Sequence, residues 1–425
     1  MLADVPIVFV LIGIAAYTVL SGADFGAGMW ILIPGGGHAD AATTRDHTRH
    51  SIGPVWEANH VWLIFVLTVA WTCYPGAFGS IVSTLAIPLL IAAIGIIFRG
   101  TTYALRSQFD RREGRGVALV EDLFALSSVL TPFALATVVG AIATGRVPVG
   151  NARGNIITSW LNPVSIMAGV LAVFFSGYLA AVYLAADARR LGEPVLARDF
   201  RNRALGAGVV AGVLAAAGLL VVRFNAPALW HGLTSGAGLA LVIVSGVAGV
   251  LTLVLVRRSS FGLARASAAL AVAAVIAGWA AAQEPWFLPG LTVREAAAGR
   301  ATLIATIIGV AVGAAVLVPS LGLLYTLVLR GRLDTAAAAV PAASAVPLVP
   351  PVPSVPSVAA GPAGAGRGRI ALGRPAWAFA VVTLLAGVGL VVFAGPAWAL
   401  GIGALLLVAC AVTVFALTAI PDEGT

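Results

Sequence analysis

The residues of this sequence with the clearest capacity for chemistry are acids buried in apolar stretches. Asp24 stands in Leu20-Ser-Gly-Ala-Asp-Phe-Gly-Ala-Gly28, and Glu57 in Ile52-Gly-Pro-Val-Trp-Glu-Ala-Asn-His-Val-Trp62. A carboxylate at depth in a bilayer is expensive, and acids kept there usually face the bundle interior or a polar cavity and mark ion or proton routes. Proton carriage requires carboxyl groups that exchange protons at accessible cost, which burial can arrange by raising their pKa. His60 follows Glu57 by three residues, so both positions fall on one helix face, and the imidazole could hydrogen-bond the glutamate or relay a proton. A satisfied bundle histidine is the plain alternative. An ExxH pair is also part of a carboxylate-bridged di-iron site, but that site needs two such motifs and two further glutamates. The chain has one motif.

Each of these residues also has a structural reading. Gly22 and Gly26 form a GxxxG, extended by Gly28, which lets a helix pack closely against a neighbour. Asp24 between them could serve a structural ion pair, and Glu57 could be a helix-start carboxylate near the interface. Arg99 ends an apolar run, where snorkelling accounts for it; it could also balance an intramembrane acid. Trp56 and Asn59 flank Glu57 and complete the candidate set.

The elements that position these residues are membrane spans. Sixty per cent of the residues are hydrophobic and ten per cent charged, against roughly 25% charged in soluble domains, which excludes a soluble core. A spanning helix needs about 20 mainly apolar residues, and such runs fall near 5–33, 54–74, 77–98, 117–143, 163–186, 204–222, 232–256, 263–281 and 302–329. The first is too long for a cleaved signal peptide and stays as a span. A stretch rich in Ala, Pro, Val, Gly and Ser follows, including Val346-Pro-Leu-Val-Pro-Pro-Val-Pro-Ser-Val-Pro356, and reads as an extended linker. Two further runs, 376–394 and 397–419, are separated by Gly395-Pro396. The expected fold is an all-α polytopic membrane helix bundle: a nine-helix core over 1–332, a linker over 333–375 and a two-helix hairpin over 376–425.

Arginine orients these spans. The chain has 25 basic residues, all arginine. Twenty lie after odd-numbered spans and five after even-numbered ones. Basic residues accumulate in cytoplasmic loops, so the N-terminus is expected outside, and Asp24 and Glu57 both fall in the cytoplasmic half. Asp24 is about ten residues, roughly 15 Å, from the cytoplasmic end of its span. Two antiparallel neighbours joined by a short loop would bring the acids together as a stepwise route for cytoplasmic protons. The clusters are short and form no continuous basic face, so no nucleic-acid partner is expected.

Cofactor ligands are sparse. Cys73 and Cys410 have no CxxC spacing, and both read as membrane-core residues rather than a disulfide or thiolate site. His38, His47 and His50 fall in the first loop, His231 at the outer start of the seventh span, and the methionines show no pairing. With haem ligation needing histidine or methionine, the chain is expected to bind no haem itself. Trp30, Trp71, Trp160, Trp230, Trp286 and Trp398 sit near span ends as interfacial anchors. Glu284-Pro-Trp-Phe-Leu-Pro289 reads as a rigid outer loop, and Pro319 as a kink in the ninth span.

Several ordered motifs carry a family resemblance. Gly22-Ala-Asp-Phe-Gly-Ala-Gly28, Pro54-Val-Trp-Glu-Ala-Asn-His-Val-Trp-Leu63, Phe98-Arg99 with Tyr103-Ala-Leu-Arg-Ser107, Leu161-Asn-Pro-Val-Ser165 with Ala181-Val-Tyr-Leu184, and Pro285-Trp-Phe-Leu-Pro-Gly-Leu-Thr-Val293 with Pro319 and Tyr325 resemble the second subunit of cytochrome bd-type quinol oxidases, over about residues 5–330. The resemblance implies a haem-bearing partner, subunit I, that carries haems b and d, oxidises quinol outside and reduces dioxygen. This chain would stabilise that partner in a bacterial cytoplasmic membrane and help deliver cytoplasmic protons through Asp24 and Glu57. Family members often carry an acid where Ser21 stands, and many have Asp at position 57. The linker and hairpin fall outside the pattern and could cover the bundle or replace a small accessory subunit. A proton-coupled secondary transporter uses similar features, and an assembly scaffold is a third reading; no inverted repeat supports the first.

Overall fold

The computed structural model describes residues 2–33, 39–52, 56–109 and 115–329, with isolated helical positions at Phe379, Val382, Thr383, Ala386, Ile402 and Leu406. The expected linker, and the expected hairpin apart from these six positions, lie outside the described residues, as do His38, Trp398 and Cys410. The chain divides into two compact units, Met1–Thr306 and Ile307–Thr425.

Prolines set where many helices begin. Pro6 opens α1 (Val5–Leu32), as Pro75, Pro163, Pro194 and Pro227 open α4 (Pro75–Thr84), α7 (Pro163–Arg190), α8 (Pro194–Asn225) and α9 (Pro227–Leu233). In the first turn the missing N–H costs nothing, because that group has no helical acceptor there. At α7 the Asn162 side chain also accepts from the Val164 and Ser165 N–H groups, both at 3.1 Å. The remaining helices are α2 (Ala41–Ile52), α3 (Trp56–Cys73), α5 (Ala86–Phe109), α6 (Arg115–Ala143), α10 (Gly236–Arg257), α11 (Phe261–Gln283), α12 (Val293–Ala296) and α13 (Arg300–Leu329).

Seven of the described helices are long and apolar enough to cross a membrane, or eight counting one bent pair, and Asn59–Cys73 is a shorter apolar helix. The chain is thus a multi-pass, all-α membrane bundle. Two expected runs come out broken. The run over 77–98 is α4 and α5, bent by 83°. Pro88, early in α5, cannot donate to the carbonyl four residues back and crowds it, which ends α4 at Thr84. The run over 232–256 begins instead as α9, and α10 starts at Gly236, whose φ of 49° lies in the left-handed region that glycine enters without steric cost. His231 accordingly belongs to the short α9. The first loop contains a helix that apolar periodicity does not reveal, α2, where the Asp40 carboxylate accepts the Thr43 N–H at 2.6 Å as a cap. The loop expected on the outer side is a small antiparallel ribbon, β1 (Trp286–Leu288) and β2 (Leu291–Thr292).

In the first unit α1 packs on α7, α3, α6 and α11, while α5 packs on α6 and α7 on α8. The core against α7, α8 and α11 is largely alanine, with Ala180, Ala181, Ala185, Ala188, Ala204, Ala264 and Ala268 buried around Phe200. Such small side chains let helix backbones approach where lipid offers no hydrophobic drive. Trp30 belongs to this core rather than to the interface: it is buried, and its Nε1 donates to the Gly177 carbonyl at 2.8 Å. Trp71, by contrast, is 67% exposed. Among described residues of the second unit, the later part of α13 exposes Ile308, Val312 and Val316, and Pro319 lies inside that helix.

Candidate functional site

The glycines around Asp24 separate by function once the helices are packed. A Cβ on Gly26 would run into the Ser176 carbonyl of α7, and one on Gly28 into the Ser128 hydroxyl of α6. Gly26 therefore seats α1 on α7, whereas Gly28 makes room for the polar group beside Asp24.

That group is Arg99. The Arg99 side chain reaches from α5 into the bundle and is fully buried at 0% exposure, with Asp24 at 4%. Nη2 donates to Asp24 Oδ1 at 2.7 Å, and Nε to Oδ2 at 3.2 Å. Nη2 also donates to the Asp24 main-chain carbonyl at 2.7 Å, and Nη1 to the Ser128 hydroxyl. Four of the five guanidinium N–H groups thus have acceptors in this site. The guanidinium carbon lies 4.9 Å from the Phe25 ring centroid and 4.3 Å from that of Phe124, within cation–π range. Ser128 in turn donates to the Phe124 carbonyl at 2.7 Å. Of the two sequence readings of Arg99, the structure shows the balancing partner of an intramembrane acid; the snorkelling reading fails because the side chain points inward.

His60 is also brought to α1. Its ring lies edge-on to Tyr17, with centroids 5.9 Å apart, and to Phe25 at 6.2 Å. Asn59, buried beside it, donates from Nδ2 to the Leu20 carbonyl at 3.3 Å, a contact that ties α3 to α1. Trp56 and Glu57 belong to α3, but their side chains lie outside the described part of the structure. The structure therefore joins Asp24 to Arg99, and places His60 and Asn59 against the same helix.

Sequence reasoning missed Ser128, Phe25, Phe124 and Tyr17 as members of this site. In an apolar run a phenylalanine or serine carries no mark of its neighbour's charge. Only the demand that a buried guanidinium fill its donors could have prompted a search for hydroxyls and rings near Arg99. His47 is engaged in packing, its Nε2 3.2 Å from the Leu184 carbonyl and its ring on Phe200, whereas His231 is exposed. Among the described residues no cluster of three or more His, Cys, Asp or Glu could hold a metal ion.

The chain is similar to known proteins in sequence and in fold. The chain is 26% identical over 172 residues to Cytochrome bd ubiquinol oxidase subunit 2 of Bacillus subtilis (strain 168), an alignment over 40% of this chain and 48% of that one. It thus spans about half the length of this curated relative. The fold is similar to a solved bd oxidase from Geobacillus thermodenitrificans, with a TM-score of 0.62 and 22% identity over 77% of this chain and 98% of that chain. The family described as Cytochrome bd terminal oxidase subunit II matches residues 2–328, a stretch that includes the whole Asp24–Arg99 site, and the chain belongs to that family.

Proposed function

We propose that this chain is the haem-free subunit of a quinol:oxygen oxidoreductase in a bacterial cytoplasmic membrane, N-terminus outside. It stabilises a haem-bearing subunit I and helps conduct cytoplasmic protons to the oxygen-reduction site. Family membership favours this over a proton-coupled carrier. The haems b and d, which supply the electron transfer from quinol to oxygen, belong to the partner.

The observation that carries the proposal is the fully buried Asp24–Arg99 pair. Burying two charges costs several kcal/mol per ion before their attraction repays it, and well-packed apolar residues often serve stability as well or better. A bundle that retains such a pair has a use for the charge. Asp24 supplies an anion in the half of the membrane from which protons enter, Glu57 and His60 stand on the adjoining helix, and Arg99 holds the carboxylate in place between proton arrivals. The completeness of the Arg99 contacts supports a second role for the same pair, as a lock that fixes α1 against α5 and α6.

The test separates these roles in the purified two-subunit complex. Glu57→Gln, and the double variant Asp24→Asn with Arg99→Gln, which leaves no lone buried charge, are compared by haem spectrum and quinol-dependent oxygen consumption. A normal haem spectrum with severalfold slower turnover is expected. Wild-type turnover in both would overturn proton conduction through these residues.

A further inference from the structure

Two hydroxyls next to this site have no described hydrogen-bond partner. Tyr17 and Ser21 lie one helical turn apart on α1, with Asp24 the next residue along the same stripe. Tyr17 is 8% exposed and Ser21 1%, and neither the Tyr17 hydroxyl nor Ser21 Oγ meets an acceptor or donor with hydrogen-bond geometry. Buried hydroxyls of this kind are ordinarily satisfied by protein or by water. Both are buried within this chain alone, so a partner subunit has little access to them. A water bridging two hydroxyls on one helix face would satisfy both, and a carboxylate along the same stripe adds a further polar neighbour.

We infer that Tyr17 and Ser21 hold an internal water that extends the hydrogen-bonded route from Asp24 to the middle of α1, beside His60. Tyr17 is seven residues before Asp24, roughly 10 Å along the axis, and lies midway along the helix. Beyond it the stripe turns apolar, since Gly13 faces Val66 and Phe65 of α3. The route therefore turns sideways there, toward the His60 ring. His60 is only partly buried and precedes Val61 and Ile64, which are exposed on α3, so the turn leads to the surface of the chain. In transfer each hydroxyl accepts a proton on an oxygen lone pair as it releases the one it held: one O–H bond forms, one breaks, and no charge remains on the residue.

The inference rests on proton conduction through Asp24, and the experiment keeps the two apart. In the purified complex, proton uptake after mixing the reduced enzyme with oxygen is followed with a pH-sensitive dye, and oxygen binding by the haem absorbance. Tyr17→Phe and Ser21→Ala are expected to slow uptake about tenfold, a loss below the usual contribution of a positioned proton-transfer group, with oxygen binding at the wild-type rate. A merely structural lesion would slow both steps and would overturn the role. Unchanged uptake in both, beside slow uptake in the Asp24→Asn/Arg99→Gln variant, overturns this inference alone. Unchanged uptake in that double variant overturns the parent reading and the route with it. If the single variants do not assemble, the wild-type complex decides: at a resolution that shows other internal waters, density bridging the two hydroxyls supports the site, and its absence removes it.

Discussion

Helix α1 is held on two sides by opposite means. Toward α7, α8 and α11 it meets a seam of alanines and glycines, with Gly26 close against the Ser176 carbonyl. Toward α5 and α6 its own carboxylate, Asp24, meets a guanidinium and a neighbouring hydroxyl, with Phe25 and Phe124 against the guanidinium. The first is the ordinary solution for helices in lipid, where close van der Waals packing supplies the association. The second is a costly way to join helices and is retained where the charge has a use. The small-residue seam accounts for the position of α1; the charged junction accounts for why Asp24 is there at all.

The comparison breaks most sharply at Arg99. Arg99→Met leaves Asp24 buried without its partner, and removal of one member of a buried pair costs about 3–5 kcal/mol. The complex is expected to lose yield and melt at lower temperature in detergent, and Arg99→Met combined with Asp24→Asn to recover most of that loss. A double variant no more stable than Arg99→Met would show that the two side chains do not act as a pair. The apolar side gives a smaller effect. Gly26→Ala forces a methyl group onto the α7 backbone, an overpacking that costs about 1–3 kcal/mol and is additive with the Arg99 change if the two faces are independent. Thermal melts of the single and combined variants measure this directly, and marked non-additivity would mean that the faces form one unit.

The sequence made the two faces legible to different degrees. Span positions follow from apolar length, so α1, α6, α7 and α11 lie close to their expected runs. Asp24 stands out because a carboxylate in such a run is rare, and Arg99 could be named as its counter-charge, although the choice between inward pairing and snorkelling needed the packing of α5 on α6. The break at Leu85 escaped because Pro88 interrupts no apolar pattern, and α2 escaped because its cap at Asp40 lies in a polar loop. Trp30 was misassigned since an indole near a span end looks the same whether it faces lipid headgroups or a neighbouring backbone. Ser128, Tyr17 and Ser21 are ordinary residues by type, and their importance comes from burial beside a charge, which is a property of three dimensions.

Trp30 offers the smallest and finest test of the comparison, because it is the polar contact on the apolar side. Its Nε1 donates to the Gly177 carbonyl, and the Arg203 guanidinium carbon lies 5.5 Å from its ring centroid. In Trp30→Phe the carbonyl of Gly177, inside α7, keeps its own helical donor four residues on, so no buried group is orphaned. The lost hydrogen bond costs only about 1 kcal/mol, less than either substitution above. A melt shifted slightly, with the haem spectrum and turnover intact, is the expected result. Loss of turnover without loss of stability would instead place part of the working machinery on the α7 side, and the division between a packing face and a charged face would no longer hold.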